Sequence, residues 1–75
     1  MTNLPALKPK KVIKALRKGG FYIDHIKGSH YHLRQKAKPK LLVTVPYHNK
    51  DLKRKTLSSI IKQAELSPEE FKKLL

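Results

Sequence analysis

The sequence predicts a small α+β fold in which helices cover one face of an antiparallel sheet. Two observations predict it: apolar residues at helical spacing near both ends of the chain, and three short stretches with strand signals between them, namely a run rich in β-branched and aromatic residues, its hairpin return and a short apolar run. A chain of 75 residues is expected to form one domain with a core of modest size. The predicted order is α-β-β-β-α with an extra short C-terminal helix, a two-layer sandwich whose sheet keeps one face open.

The N-terminal part of the chain predicts an extended arm and then a helix. Residues 1–9 contain Pro5 and Pro9, which remove backbone donors and restrict the residues before them, so an extended arm is expected there. Over residues 10–18, apolar residues recur at helical spacing among lysines and an arginine, and two glycines then stop the helix. The apolar face of this helix consists of Val12, Ile13, Ala15 and Leu16.

Three strands are predicted in the middle of the chain. Residues 21–26 form the first, and a Lys-Gly-Ser turn returns the chain as a second strand over residues 30–35. A basic loop over residues 36–40 leads to a third strand over residues 41–45, which a proline closes. The strands are therefore expected to pair as an antiparallel sheet in chain order.

Two helices are predicted in the C-terminal part. Thr56 is the expected N-cap of the first helix, whose apolar residues recur at i, i+3, i+4 and i+7: Leu57, Ile60, Ile61 and Ala64. In the second helix, Ser67 precedes a proline at the first helical position, and Glu70 stands at the third, which is the capping-box arrangement. Because no internal repeat or second domain is indicated, residues 10–75 are expected to form a single domain.

The charge of the chain indicates a polyanionic partner. It has 18 Lys and Arg residues against 5 Asp and Glu, a formal charge of +13, and such a field attracts phosphates with a steep dependence on salt. Nucleic acid is favoured over a membrane, because the apolar runs are far shorter than the roughly 18 residues that a spanning helix needs. With no signal-peptide apolar region and no cysteine, a cytoplasmic protein without disulfides is expected.

Two histidines follow the predicted turn. His30 and His32 lie at i and i+2 of the second strand, so they share one sheet face while Tyr31 and Leu33 share the other. Near a positive cluster the cationic form of imidazole is disfavoured, which leaves a neutral ring that accepts a proton near pH 7. RNA carries its own nucleophile, the 2′-hydroxyl, so its cleavage requires a proton acceptor, a proton donor and cations that neutralise phosphate charge. The alternative is that both histidines are ordinary surface residues, and their spacing alone does not decide.

Two further interpretations concern the same region. Gly28 and Ser29 suit a hairpin turn, and their N–H groups and the serine hydroxyl could also bind a phosphate next to His30. The side chains available to a metal ion would be His25, His30, His32, His48, Asp24 and Asp51. Because neither an H-x₃₋₅-H pair on a helix nor a cysteine pair occurs, no metal site is expected.

Four stretches occur in an informative order: VIKALRKGGF, KGSHYHLR, VTVPYHNKDL and TLSSIIKQAELSPEEF. Together they cover essentially all of residues 10–72 and resemble the HicA family of toxins, the RNA-cleaving halves of type II toxin-antitoxin pairs. The resemblance implies a double-stranded-RNA-binding-domain-like fold and an mRNA interferase that needs no cofactor. It also implies that a HicB-type antitoxin holds the protein inactive.

The resemblance also implies roles for individual residues. The G-S-H motif of the family falls on Gly28, Ser29 and His30, which makes His30 the implied catalytic histidine. His32 lies outside that motif and is ranked as an auxiliary group for phosphate binding or proton donation. The cationic side chains expected to contact RNA are Lys27, Arg34, Lys36, Lys38 and Lys40.

The chain departs from the family pattern at two positions, and two other hypotheses stay open beside the nuclease. Many members carry a glycine where Lys55 and Glu65 stand here, so RNA contacts that depend on close backbone approach are expected to differ. The alternative to an endoribonuclease is a non-catalytic basic RNA-binding module. A third hypothesis is that the chain exists mainly in complex, with the antitoxin over the His30 face and against the C-terminal apolar stripe of Phe71, Leu74 and Leu75.

Overall fold

In the computed structural model, which describes residues 4–75, two of the three helices pack on one face of a three-stranded antiparallel sheet, and the third helix packs on the second. The elements are α1 (Pro9–Lys18), β1 (Phe21–Lys27), β2 (His30–Gln35), β3 (Leu42–Pro46), α2 (Arg54–Gln63) and α3 (Pro68–Lys73). The strands pair in the order β1-β2-β3. The predicted α+β class and element order are confirmed, and the arrangement agrees with a double-stranded-RNA-binding-domain-like fold. β3 lies one residue later than predicted.

One apolar cluster joins the helices to the inner face of the sheet. In α1, Val12 and Leu16 are fully buried because their helical spacing places them on the side that faces the sheet. Leu33, Val43 and Val45 are also fully buried, since alternate residues of a strand point to the same face. The helices therefore cover one face of the sheet, and the opposite face stays open to solvent.

Residues 4–8 form no helix or strand, and they pack along the core. Leu7 is buried, and its carbonyl oxygen accepts a hydrogen bond of 2.7 Å from the N–H of Leu52. Pro9 begins α1, one residue earlier than predicted, because the first turn of a helix has no intrahelical acceptor for its N–H groups and tolerates proline. Residues 1–3 of the predicted arm lie outside the described residues.

The two C-terminal helices begin in different ways. In α3 the Ser67 hydroxyl accepts a hydrogen bond from the Glu70 N–H (3.1 Å), and the Glu70 carboxylate accepts one from the Ser67 N–H (2.9 Å). The predicted capping box is therefore confirmed. The prediction that Thr56 caps α2 is wrong, because Lys53 occupies the N-cap and its carbonyl oxygen already accepts from the N–H of Leu57 (2.9 Å).

α2 ends on a residue in the left-handed backbone conformation. Glu65 has a φ of 57°, its N–H donates to Lys62 O (3.0 Å), and the N–H of Leu66 donates to Ile61 O (3.1 Å). These two bonds form a Schellman motif, in which the left-handed position favours glycine because a Cβ crowds the backbone there. This is one of the two positions at which the family resemblance led to the expectation of glycine.

Replacing Glu65 with glycine is expected to raise the free energy of unfolding by about 0.5–1 kcal/mol, because the Cβ is removed from a left-handed residue. Urea denaturation measures the gain. Glu65→Ala is the matched control, since it removes the carboxylate and its exposed 4.0 Å contact with Lys38 Nζ but keeps the Cβ. An equal gain in both variants would show that the carboxylate, and not the backbone conformation, is the source.

Candidate active site

The outer face is defined here as the face of the sheet that points away from the helices. In β2, Leu33 is fully buried, so His30 and His32 point outward at the alternate positions. The pairing of β1 with β2 places Lys27 opposite His30 and His25 opposite His32. Three imidazoles and a lysine therefore meet on the outer face near the β1–β2 turn.

His30 is the first residue of β2 and lies exposed at the end of the outer face. Gly28 has a φ of 60° in the adjoining turn, and a Cβ built there would meet nothing within 4 Å, so the turn is open to a ligand. The carbonyl of Ser29 accepts from the N–H of Tyr47 (2.7 Å), which ties the turn to the segment after β3. Within residues 4–75 neither the His30 ring nor the Ser29 hydroxyl has a hydrogen-bond partner. Both groups are therefore available to a substrate.

His32 is held in place from two sides. Its ring stacks on His25 with centroids 4.3 Å apart and planes 11° from parallel, and its Nδ1 lies 3.1 Å from Thr44 Oγ1. Partial burial lowers the pKa of His32, and electrostatic repulsion from His25, His30 and Lys27 lowers it further against a smaller opposing effect of Asp24. The His32 ring is therefore neutral near pH 7.

Asp24 links His25 to Arg34. Its Oδ2 lies 2.8 Å from His25 Nδ1 and 3.5 Å from Arg34 Nε, and the hydrogen bond with His25, helped by the charge of Arg34, lowers the pKa of Asp24. Arg34 Nη1 also donates to Pro39 O (2.8 Å), so the guanidinium is engaged twice within the fold. The contacts Arg34–Asp24–His25 and the stack on His32 form one connected group on β1 and β2.

The structure separates the other predicted RNA contacts from His30. The loop over residues 36–40 follows the far end of β2, about 20 Å from His30 at roughly 3.3 Å of rise per residue. Lys36, Lys38 and Lys40 are exposed there, whereas Lys27, Gly28 and Ser29 adjoin His30 directly. Within residues 4–75, no group of three or more His, Asp or Glu side chains is arranged so that it could hold a metal ion.

From the sequence alone, Asp24 and His25 are indicated only as possible metal ligands. Their placement depends on a β-bulge between Ile23 and His25, where Asp24 is an extra residue opposite no partner. In a regular strand, residues three apart lie on opposite faces of the sheet. Ile23 nevertheless packs on the core, and Ile26 pairs with Tyr31, which also packs on the core. The spacing of three between the apolar residues Ile23 and Ile26 was therefore the feature of the sequence that could have indicated the bulge.

The lowered pKa of His32 predicts a pH-dependent loss of stability. Between the folded pKa and the unfolded value near 6.5, the unfolded chain binds more protons at this residue, so stability falls as pH falls through that window. In His32→Gln, the free energy of unfolding is therefore expected to drop less between pH 7.5 and pH 5.5 than in the wild type. Urea denaturation at both pH values measures the two drops, and equal drops would contradict the prediction.

Comparison with known proteins indicates the family of the chain. The family model for the HicA toxin of bacterial toxin-antitoxin systems matches residues 9–66, which span α1, the whole sheet and α2. No curated protein matches the sequence significantly. Across residues 4–75, every helix is too short or too polar to cross a membrane. Because the matched region covers most of the chain and includes the entire outer face, the chain belongs to the HicA family of toxins.

Proposed function

We propose that this HicA-family toxin is an endoribonuclease that cleaves mRNA in the cytoplasm and is neutralised by a HicB-type antitoxin. The observation that carries the proposal is the position of His30. It stands exposed beside the open Gly28–Ser29 turn and opposite Lys27, in a chain with a formal charge of +13. A base, a phosphate-binding turn and a cation are thereby close to one another.

In the proposed reaction, a ring nitrogen of His30 takes the proton of an RNA 2′-hydroxyl. The 2′-oxygen forms a bond to the adjacent phosphorus, the bond from phosphorus to the 5′-oxygen breaks, and that oxygen leaves with a proton. The products are a 2′,3′-cyclic phosphate and a 5′-hydroxyl end. The attacking group belongs to the RNA and the proton acceptor to the protein, so the proposed step requires no metal ion.

The charge that builds on the phosphate is assigned to groups around His30. The N–H groups of Gly28 and Ser29, the serine hydroxyl and Lys27 are proposed to bind the scissile phosphate, because oriented donors act most strongly where charge develops. Lys36, Lys38 and Lys40 are proposed to bind phosphates further along the strand. Arg34 is proposed to hold Asp24 in place and not to bind the scissile phosphate directly, since its side chain already contacts Asp24 and the carbonyl of Pro39.

The antitoxin is proposed to bind the outer face. That face is open and carries the cations Lys27 and Arg34 beside the histidines, so a partner that places acidic groups there would cover His30 and exclude RNA. The C-terminal stripe is a poorer docking surface, because Phe71 is fully buried in the core of the chain itself and only Leu75 is a large exposed apolar residue there.

The test is induction of the wild type and of His30→Ala in bacteria that lack the antitoxin, with growth and reporter mRNA integrity followed together. We expect the wild type to stop growth and fragment the mRNA, His30→Ala to do neither while folded by circular dichroism, and co-expressed antitoxin to restore growth. If both forms fragment the mRNA equally, His30 is not the base. If purified wild type binds RNA tightly and leaves it intact, the chain is a non-catalytic RNA-binding module.

A further inference from the structure

The proposed reaction needs a proton donor as well as a base. The leaving 5′-oxygen must gain a proton as its bond to phosphorus breaks, and a positioned side chain accelerates such a step by about 10²–10⁴-fold. Besides His30, the outer face offers two imidazoles, His25 and His32. The contacts of each ring decide which of the two is the better proton donor. The inference rests on the proposed nuclease function.

His32 is poorly suited to donate a proton. Its Nδ1 lies 3.1 Å from Thr44 Oγ1, so that nitrogen is already engaged within the sheet. Partial burial and neighbouring positive charges lower its pKa, so the ring holds no extra proton near pH 7. A group that stays neutral can accept a hydrogen bond or fill space, but it has no ready proton for an alkoxide.

His25 has the contacts that a donor needs. Its Nδ1 lies 2.8 Å from Asp24 Oδ2, which orients the ring and balances its charge when it is protonated. Arg34 Nε, 3.5 Å from the same carboxylate oxygen, holds Asp24 in turn. The side chain of His25 is 50% exposed, and within residues 4–75 its Nε2 has no hydrogen-bond partner. The groups that face it are Asp24 on its own strand, His32 and Arg34 on β2, and more distantly Lys27 and His30.

The strand register places His25 at a suitable separation from His30. His25 pairs with His32, two residues along β2 from His30, so His25 and His30 are diagonal neighbours whose Cα atoms lie about 7–8 Å apart. Imidazoles on backbones at that separation can reach opposite sides of one phosphoryl group, each through a hydrogen bond of about 2.6–3.2 Å. One phosphate could therefore contact both imidazoles, with the 2′-oxygen toward His30 and the 5′-oxygen toward His25.

We infer that His25 is the general acid of this nuclease and that Asp24 is its positioning residue. As the P–O5′ bond breaks, Nε2–H of His25 transfers its proton to the 5′-oxygen, while His30 retains the proton taken from the 2′-hydroxyl. The RNA products then carry a 2′,3′-cyclic phosphate and a 5′-hydroxyl. The protein is left with a neutral His25 and a protonated His30, and exchange with water restores both.

The experiment compares two RNA oligonucleotides of one sequence, chosen after the cleaved linkage of the natural RNA has been mapped. In the second oligonucleotide, sulfur replaces the bridging 5′-oxygen at that linkage. A thiolate leaves without being protonated, so loss of the acid slows only the natural RNA, whereas loss of the base slows both. Wild type, His25→Gln, His32→Gln and His30→Gln are assayed on both substrates, each after its fold is checked by circular dichroism.

We expect His25→Gln to lose about 10²-fold or more on natural RNA and less than tenfold on the sulfur-containing RNA, while His30→Gln loses activity on both. Equal losses of His25→Gln on the two substrates would overturn the inference and leave the nuclease intact. A leaving-group-selective loss in His32→Gln instead would assign the acid to His32. If the wild type cleaves no linkage of the natural RNA during the mapping, the proposed function and this inference are overturned together.

Asp24 is tested by a pH profile, which a merely structural role would not move. In Asp24→Asn the alkaline limb of kcat/KM is expected to shift to lower pH, because the protonated His25 loses its adjacent carboxylate. The double variant Asp24→Asn with His25→Gln should be no slower than His25→Gln alone, since the two residues act as one unit. An unshifted alkaline limb, or independent losses that multiply, would remove Asp24 from this role.

Discussion

The purified His30→Gln variant is expected to cleave RNA about 10²–10⁴-fold more slowly than the wild type, the usual contribution of a general base. Glutamine keeps a polar side chain at the exposed first position of β2 but accepts no proton at neutral pH. Initial rates on a labelled RNA that contains one mapped cleavage site measure the loss. Analysis of the 3′ ends shows whether the wild-type product is a cyclic phosphate.

RNA binding is the control for that variant. Most of the affinity should come from the lysines and arginines, so the affinity of His30→Gln, measured by fluorescence anisotropy at a fixed salt concentration, should stay close to that of the wild type. A rate loss with retained binding places His30 in the chemical step. An unchanged cleavage rate, or 3′-hydroxyl products from the wild type, would refute the assignment of His30 as the base for 2′-hydroxyl attack.

Replacing Phe71 with alanine is expected to lower the free energy of unfolding by about 3–5 kcal/mol, because Phe71 is fully buried and its loss leaves a cavity in a close-packed core. A domain of this size has a total stability of only about 4–11 kcal/mol at 0.05–0.15 kcal/mol per residue. The variant should therefore be partly unfolded near 37 °C. Urea denaturation of the purified protein measures the difference.

Leu75→Ala is the matched control for the Phe71 variant. Leu75 lies in the same C-terminal segment but is 43% exposed, so its truncation should remove much less stability. Phe71 lies beyond residues 9–66, the part matched by the family model, so a large loss would show that the C-terminal extension completes the core of this chain. Equal losses in the two variants would contradict that role.

Much of the fold could be predicted from local patterns. Helical spacing in residues 10–18 and alternation in residues 30–35 depend on which side of an element each side chain occupies, and both periods are properties of the backbone. The Ser67–Glu70 capping box was equally predictable, because both of its hydrogen bonds lie within four residues of the chain. Such features need no information from distant parts of the sequence.

Other features depended on packing between distant segments. Thr56 has a good capping side chain, yet α2 begins before it, with Lys53 at the N-cap and with Leu52 and Leu57 buried on either side of this start. Tertiary burial outweighed a cap that contributes only about 1 kcal/mol. The bulge at Asp24 likewise lets a short strand keep Ile23 on the core while it brings its last residues into register with β2.

The sequence by itself determined the element order, the strong positive charge, the HicA resemblance and the candidacy of His30, since each follows from composition, periodicity or a contiguous motif. Only the tertiary structure decided that His25 stacks on His32 and that Asp24 joins it to Arg34. Those contacts arise from one bulged residue that sets the register between two strands. A shift of one residue would exchange the faces of the strand, and local propensity does not reveal which register the core selects.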